Sequence, residues 1–155
     1  MSAPLFYEEI PSGFEFETGG IVVTESHVVA FAGLSGDFFD VHMDDRFARS
    51  LGFSGRVAHG LLCLALIDGL KNRAEARFAA VASLSWQWNF RHAVYIGDRI
   101  AGRVRVAARR TTRRPDRGIL TLELEAFNQD GKVVQDGSNL LLVRTRAGEP
   151  SPSAA

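Results

Sequence analysis

The feature that most constrains the fold is an apolar stretch of helical length near the middle of the chain. It runs from Val57 to about Arg73 with the sequence VAHGLLCLALIDGLKNR and is rich in the helix formers Leu and Ala. Its first two turns are apolar on nearly all sides, so we expect a helix that is buried on most of its surface. The remaining chain has to cover it.

Four segments with strand-like patterns follow this helix. In residues 81–94, Leu84, Trp86, Trp88 and Phe90 alternate with polar residues, which is the period of two of a half-buried strand. The other three predicted strands lie near residues 99–112, 117–128 and 132–145.

Turn sequences join these strands, with no helix between them. The segments Arg114–Gly118 and Asn128–Gly131 supply the proline and glycine that hairpin turns favour. Consecutive hairpins give an antiparallel sheet, and such a sheet curled around one long helix is an α+β fold. Its exposed edge strands predict pairing with a second copy, as a homodimer or a dimer of dimers.

The first third of the chain predicts smaller elements. These are a short strand pair over residues 14–23, a helix from the N-cap Thr24 to Leu34, and a short helix over Asp44–Leu51. Gly36 breaks the first of these helices.

Length and charge predict one domain that does not bind nucleic acid. The 155 residues carry 18 Lys and Arg against 18 Asp and Glu, and this balance does not suit a polyanion partner. We expect a single domain over residues 1–146 and a flexible tail over 147–155, which is small and rich in Pro and Ser.

Cysteine content and hydropathy predict a cytoplasmic protein without a membrane span. Cys63 is the single cysteine, so there is no disulfide framework and no multi-cysteine zinc site. The N-terminus does not resemble a signal peptide, and the longest apolar run, Leu61–Ile67, is far short of a membrane helix. Neither His27 nor His92 has a partner at metal-ligand spacing, and no metal is predicted.

Two candidate catalytic residues, Asp37 and His42, share the loop that follows Gly36. A carboxylate and an imidazole five residues apart are able to hold one water, with one group accepting its proton while the other donates. Spacing alone favours a plainer interpretation, because an Asp after Gly is usually a turn residue and a lone His usually lies on the surface.

A second candidate site is Ala58-His59-Gly60, at the head of the long helix. The first N–H groups of a helix lack intrahelical partners and attract negative charge. Gly60 has no side chain to shield its N–H, so a carbonyl oxygen is able to approach it closely. An equally good interpretation is that Gly60 simply allows the helix to pack tightly against a strand.

Together these two sites resemble the MaoC-like hydratase family, which includes the R-specific enoyl-CoA hydratases. The similarity spans roughly residues 10–145 and is sharpest over 33–70. That stretch contains Gly36-Asp37-x-x-x-x-His42 and Val57-Ala58-His59-Gly60-Leu61-Leu62, whose glycine follows His42 by eighteen residues. Of the family pattern G-D-x-N-P-x-H, the chain keeps the Gly, the Asp and the His. It carries Phe39 for the Asn and Asp40 for the Pro.

This resemblance implies a fold, an activity and roles for residues. The family has the hot-dog fold, a curved antiparallel sheet wrapped around one long helix, and it forms dimers with active sites at the subunit interface. By similarity, Asp37 and His42 activate a water that adds to an enoyl thioester, and the Gly60 N–H meets the charge on the thioester oxygen. The residues expected to contact substrate are Gly36, Phe38, Phe39 and His59. The resemblance implies no metal and no redox cofactor, because CoA arrives with the substrate.

Two other functions stay open at this point. Hot-dog proteins also hydrolyse acyl-CoA, which makes a thioesterase an alternative. A non-catalytic acyl-binding subunit is a second alternative, because Phe39 and Asp40 depart from the family pattern.

The five arginines of one hairpin predict a solvated surface or a contact for CoA phosphates. They are Arg109, Arg110, Arg113, Arg114 and Arg117.

Overall fold

The computed structural model describes residues 3–148. Its strands are β1 (Glu15–Val22), β2 (Ala80–Phe90), β3 (Arg99–Thr111), β4 (Arg117–Phe127) and β5 (Val133–Arg144). Its α-helices are α1 (Glu25–Ser35), α2 (Asp40–Met43), α3 (Asp45–Ser50) and α4 (Gly60–Asn72). Short 3-10 helices cover Tyr7–Glu9 and Arg146–Gly148. Most of the predicted tail, residues 149–155, lies outside the described residues.

The five strands form one antiparallel sheet in the order β1-β3-β4-β5-β2. The α+β prediction is therefore confirmed, as are the hairpins that join β3 to β4 and β4 to β5. The expectation of hairpins throughout is wrong at one connection, because β2 and β3 are not neighbours. Residues 91–98 carry the chain between them, and the N–H groups of Arg91 and His92 both donate to the Val134 carbonyl. β1 and β2 are left as the two edge strands.

The N-terminal third follows the predicted pattern with one correction. The Thr24 hydroxyl accepts the His27 N–H at 3.3 Å and caps α1, and Gly36 ends this helix with a φ of 78°. The predicted strand pair over residues 14–23 is a single strand, β1. A bulge between Glu17 and Gly20 interrupts its register with β3, so its sequence looks like two short strands.

The long helix begins three residues later than predicted. Val57 pairs with Tyr95 in an isolated bridge, and the Ala58 N–H donates to the Val94 carbonyl at 2.7 Å. These contacts keep residues 57–59 extended, so α4 begins at Gly60. Its buried face packs on residues of β3, β4 and β5 and on α1. The buried members of this cluster include Cys63, Ile67, Val28, Ile100, Ala126 and Val134.

One face of α4 remains uncovered, which contradicts the expectation of burial on most sides. Leu61 is 60% exposed, and Ala65, one turn later on the same face, is also exposed. The single protomer therefore covers the helix from the sheet side and leaves the other side open.

No helix among residues 3–148 is long and apolar enough to cross a membrane.

The single cysteine, Cys63, lies in the core. Burial, assisted by the negative charge of Asp98, raises the pKa of the Cys63 thiol to about 12. At pH 8 only about one such thiol in ten thousand is ionised, and the thiolate is the reactive form. We expect the native protein to resist a thiol reagent at pH 8 and to react with one equivalent after denaturation. Rapid labelling of the native protein would contradict this assignment.

Candidate active site

The loop between α1 and α2 brings the two candidate catalytic side chains together. The left-handed turn at Gly36 redirects the chain, and the Asp37 carboxylate accepts the Phe39 N–H at 3.3 Å. The single turn of α2 then carries His42 back over the loop. As a result, Asp37 Oδ2 lies 3.9 Å from His42 Nε2. The Asp37 side chain is 51% exposed to solvent, whereas the His42 side chain is only 13% exposed.

A main-chain carbonyl fixes the proton of His42. The Nδ1 atom lies 2.6 Å from the carbonyl oxygen of Val57, and because a carbonyl only accepts, Nδ1 donates this hydrogen bond. In the neutral imidazole, Nε2 then carries a lone pair, and this atom faces Asp37. The extended segment that delays the start of α4 thus also orients the histidine.

The gap between Asp37 and His42 suits a bridging water. At 3.9 Å the two atoms are too far apart for a direct hydrogen bond. A polar separation of this size accommodates one water within reach of both atoms. Such a water donates to the carboxylate and to the Nε2 lone pair, which leaves its oxygen free to attack an electrophile.

Gly60 places an unshielded N–H at the opposite side of this site. It is the first residue of α4, where the backbone N–H has no intrahelical partner. A Cβ at this position would lie 2.5 Å from Cε1 of Phe90, so the site accepts only glycine without a shift of that ring. The Phe90 ring therefore packs directly against the start of α4, and both residues line the same cavity.

A cavity of about 500 Å³ joins the pair to the helix start. Its walls are mostly apolar, and five of the lining side chains are large, apolar and exposed. These five are Phe39, Leu51, Phe53, Leu61 and Phe90. Asp37, His42, His59, Gly60 and Gln135 supply most of its polar groups. Exposed apolar side chains around a few convergent polar groups are typical of a small-molecule site.

The structure brings together some of the predicted substrate contacts and not others. Phe39 lines the cavity and meets His42 edge-on, with ring centroids 6.4 Å apart. His59 also lines it, although the residue is only 2% exposed. Among the described residues, Gly36 and Phe38 are not part of the lining. Gly36 serves as the C-cap of α1, and Phe38 is 57% exposed outside the cavity.

A carboxylate and two histidines form one close cluster of possible ligand atoms. Asp37, His42 and His59 each bring one potential ligand atom within 4.8 Å of the others. The rings of His42 and His59 are stacked, with centroids 3.8 Å apart and planes 28° apart. His42 Nδ1 and His59 Nε2 are both engaged with main-chain carbonyls, which leaves His42 Nε2 and His59 Nδ1 as the other ring nitrogens of the cluster.

Sequence reasoning missed a buried amide that supports the helix start. Gln135, on β5, is 2% exposed and donates from Nε2 to the Gly60 carbonyl at 3.1 Å. Its Oε1 accepts the Trp88 indole N–H at 2.9 Å, which fixes the orientation of the amide. The sequence feature that could have indicated this role is the amide of Gln135, which directly follows the apolar pair Val133-Val134 in a predicted strand.

The arginine-rich hairpin lies at the far end of the sheet from this cavity. Phe90 and Gln135 are register partners at the cavity end, whereas the hairpin joins Thr111 to Gly118 at the other. Arg117 and Arg114 pair with Asp116 and lower the pKa of its carboxyl to about 2. Within one protomer, therefore, the hairpin does not reach a substrate in the cavity.

Comparisons with known proteins agree with this architecture. Residues 10–126 match the MaoC like domain family. The (R)-specific enoyl-CoA hydratase of Aeromonas caviae is 32% identical over 112 residues, which are 72% of this chain and 80% of that protein. The crystal structure of the MaoC-like dehydratase from Rhodospirillum rubrum is similar with a TM-score of 0.82, at 27% identity, over 92% of this chain and 98% of that one.

A further solved structure supports the fold alone. A Mycobacterium tuberculosis protein described as a double hot-dog fold is similar with a TM-score of 0.81, at 18% identity, over 98% of this chain and 46% of that one. The predicted hot-dog fold is thus confirmed. On the family match and the identity to the Aeromonas caviae enzyme, this chain belongs to the MaoC-like domain family.

Proposed function

We propose that the protein is a hydro-lyase that adds water across the 2,3-double bond of an enoyl thioester and, in reverse, dehydrates a 3-hydroxyacyl thioester. The observation that carries the proposal is the meeting of Asp37, His42 and the Gly60 N–H around one apolar cavity. Family membership supports it, because relatives are named hydratase and dehydratase.

Hydration begins at the water held between the acid and the imidazole. As the water oxygen forms its bond to C3 of the enoyl group, one water proton passes to the Asp37–His42 pair. The π electrons of the double bond move toward C2 and the thioester carbonyl. C2 then takes a proton from the pair, so one H and one OH are added and the enzyme is restored. General acid–base catalysis of this kind contributes about 10²–10⁴ in rate.

The head of α4 stabilises the charge that this attack creates. The electrons displaced from C3 accumulate on the thioester oxygen, which the Gly60 N–H and the positive end of the helix are placed to meet. The Gln135 amide holds the Gly60 carbonyl and so keeps the first turn in place.

The atoms balance without an oxidant, so we also propose that the reaction needs no metal or redox cofactor.

A two-signal assay tests this function against its alternatives. Purified protein is incubated with a short trans-2-enoyl-CoA, and the conjugated-enoyl absorbance and free thiol are followed together. Loss of absorbance without thiol is the result expected for a hydratase. Release of thiol would instead identify a thioesterase. A lack of change in both signals across several acyl lengths would favour an acyl-binding subunit.

We propose that the second copy predicted from the open sheet pairs along β2. This strand is an edge of the sheet, and its apolar Val81, Leu84 and Phe90 are 45%, 49% and 58% exposed. The open face of α4 at Leu61 lines the same cavity as Phe90. A homodimer, or a dimer of dimers, would cover both features.

A charge on β2 should therefore weaken self-association. We expect Leu84→Lys to shift the protein toward monomer in sedimentation velocity, because a buried lysine without a partner opposes strand pairing. The matched control is Val22→Lys on the other edge strand, where the side chain is 44% exposed. Equal dissociation in both variants, or in neither, would contradict pairing through β2.

The domain extent and the compartment are also proposals. One sheet includes strands from β1 to β5, which supports a single domain over residues 1–146. The buried, unpaired thiol of Cys63 fits a reducing compartment such as the cytoplasm.

A further inference from the structure

His59 is buried beneath the proposed catalytic pair and touches both of its members. The residue is 2% exposed. Its ring stacks on the ring of His42 with centroids 3.8 Å apart, and the ring of Phe31 lies 5.0 Å away. It also contacts the main chain of Asp37, because His59 Nε2 lies 2.9 Å from that carbonyl oxygen. A single side chain thus links the two segments that carry the acid and the imidazole.

The surroundings of His59 assign its proton. The Asp37 carbonyl only accepts, so Nε2 is the nitrogen that carries hydrogen. Nδ1 is buried and has no hydrogen-bond partner among the described residues. A donor at Nδ1 would be buried without a partner there, which is costly, so the hydrogen bonding places the hydrogen on Nε2.

We propose that His59 is a positioning residue for hydration, and this inference rests on the proposed function. Its N–H holds the Asp37 main chain, and therefore the distance between that carboxylate and His42. Its ring supports the His42 ring from one side.

Two substitutions separate these contributions. His59→Phe keeps an aromatic ring against His42 and loses the N–H that binds Asp37. His59→Gln keeps a donor of similar reach and loses the ring. We expect each to lower kcat about tenfold, as expected for one lost hydrogen bond or one ring contact, and to change KM less than about threefold. His59→Leu, which loses both, should lower kcat about 100-fold.

A purely structural role for His59 predicts a different pattern. In that case the melting temperature and the folded fraction fall, while kcat per folded site is unchanged. The matched control is His27→Gln, since His27 lies at the start of α1 outside the cavity. We expect wild-type kcat from the control. Wild-type kcat per folded site in both His59→Phe and His59→Gln would overturn the proposal.

A second measurement does not depend on turnover. Histidine ¹⁵N spectra of the whole protein at neutral pH should show His42 protonated at Nδ1 and His59 at Nε2. In His59→Gln we expect the His42 signals to broaden or shift, because its ring has lost its support. If His59 carries its proton on Nδ1, or if the His42 signals are unchanged, the positioning role is wrong. A wild-type protein with these tautomers but no hydration would refute the proposed function while leaving the His59 contacts in place.

Discussion

Asp37→Asn and His42→Ala should each lower the rate of enoyl thioester hydration by about 10²–10⁴-fold while leaving the fold intact. The asparagine keeps the size of the side chain and its hydrogen bond to the Phe39 N–H, but it no longer offers a charged acceptor to the bridging water. The alanine removes the Nε2 lone pair that lies 3.9 Å from Asp37 Oδ2. Initial loss of enoyl absorbance measures both effects, and circular dichroism reports the fold.

The matched control for this pair is Asp40→Asn. Asp40 is an exposed carboxylate at the start of α2, three residues after Asp37, and it does not line the cavity among the described residues. We expect near wild-type hydration from it. If Asp37→Asn or His42→Ala retained near-normal activity, the chemistry would have to be assigned to other residues. If Asp40→Asn were equally impaired, the loss would reflect damage to the loop.

Gly60→Ala should lower hydration by about 10²–10³-fold, the cost of losing one donor to a developing oxyanion. The new methyl group would lie 2.5 Å from Cε1 of Phe90. Because Phe90 is 58% exposed, its ring is able to move aside and the protein should still fold. The methyl group then stands beside the N–H and keeps the thioester oxygen away. Steady-state kinetics with an enoyl-CoA measures the loss.

The same helix provides a control for the Gly60 variant. At Gly69 no atom lies within 4 Å of an added Cβ, so Gly69→Ala should stabilise α4 by about 0.5–1 kcal/mol and leave hydration unchanged. Adding Phe90→Ala to Gly60→Ala removes the collision but not the shielding methyl group. Full recovery of activity in that double variant would show that steric displacement of the ring, and not access to the N–H, caused the loss.

Local patterns predicted most of the fold, and the errors lie where long-range contacts decide. The alternation in residues 99–145 and the cap at Thr24 correspond to β3, β4, β5 and α1. The start of α4 was predicted too early, because the hydrogen bond from the Ala58 N–H to the Val94 carbonyl and the bridge to Tyr95 hold residues 57–59 extended. Because these partners are more than thirty residues away in sequence, helix propensity takes no account of them.

The site was predicted in its residues more than in its geometry. Asp37, His42 and Gly60 were singled out, and the structure gathers them around one cavity. Spacing did not indicate that His59 is stacked on His42 or that Gln135 supports Gly60, because both features depend on packing between separate elements. Phe38 was expected in the site because of its place in the loop, but its neighbour Phe39 is the one that lines the cavity.

The carbonyl that orients His42 belongs to the backbone, and this affects how the site is able to evolve. Every amino acid carries that oxygen, so no substitution at position 57 deletes the acceptor on which the Nδ1 proton depends. The Val57 side chain, by contrast, lines the cavity and is free to change in size. Selection is therefore able to reshape the space for the acyl group at this position while the proton chemistry is inherited unchanged.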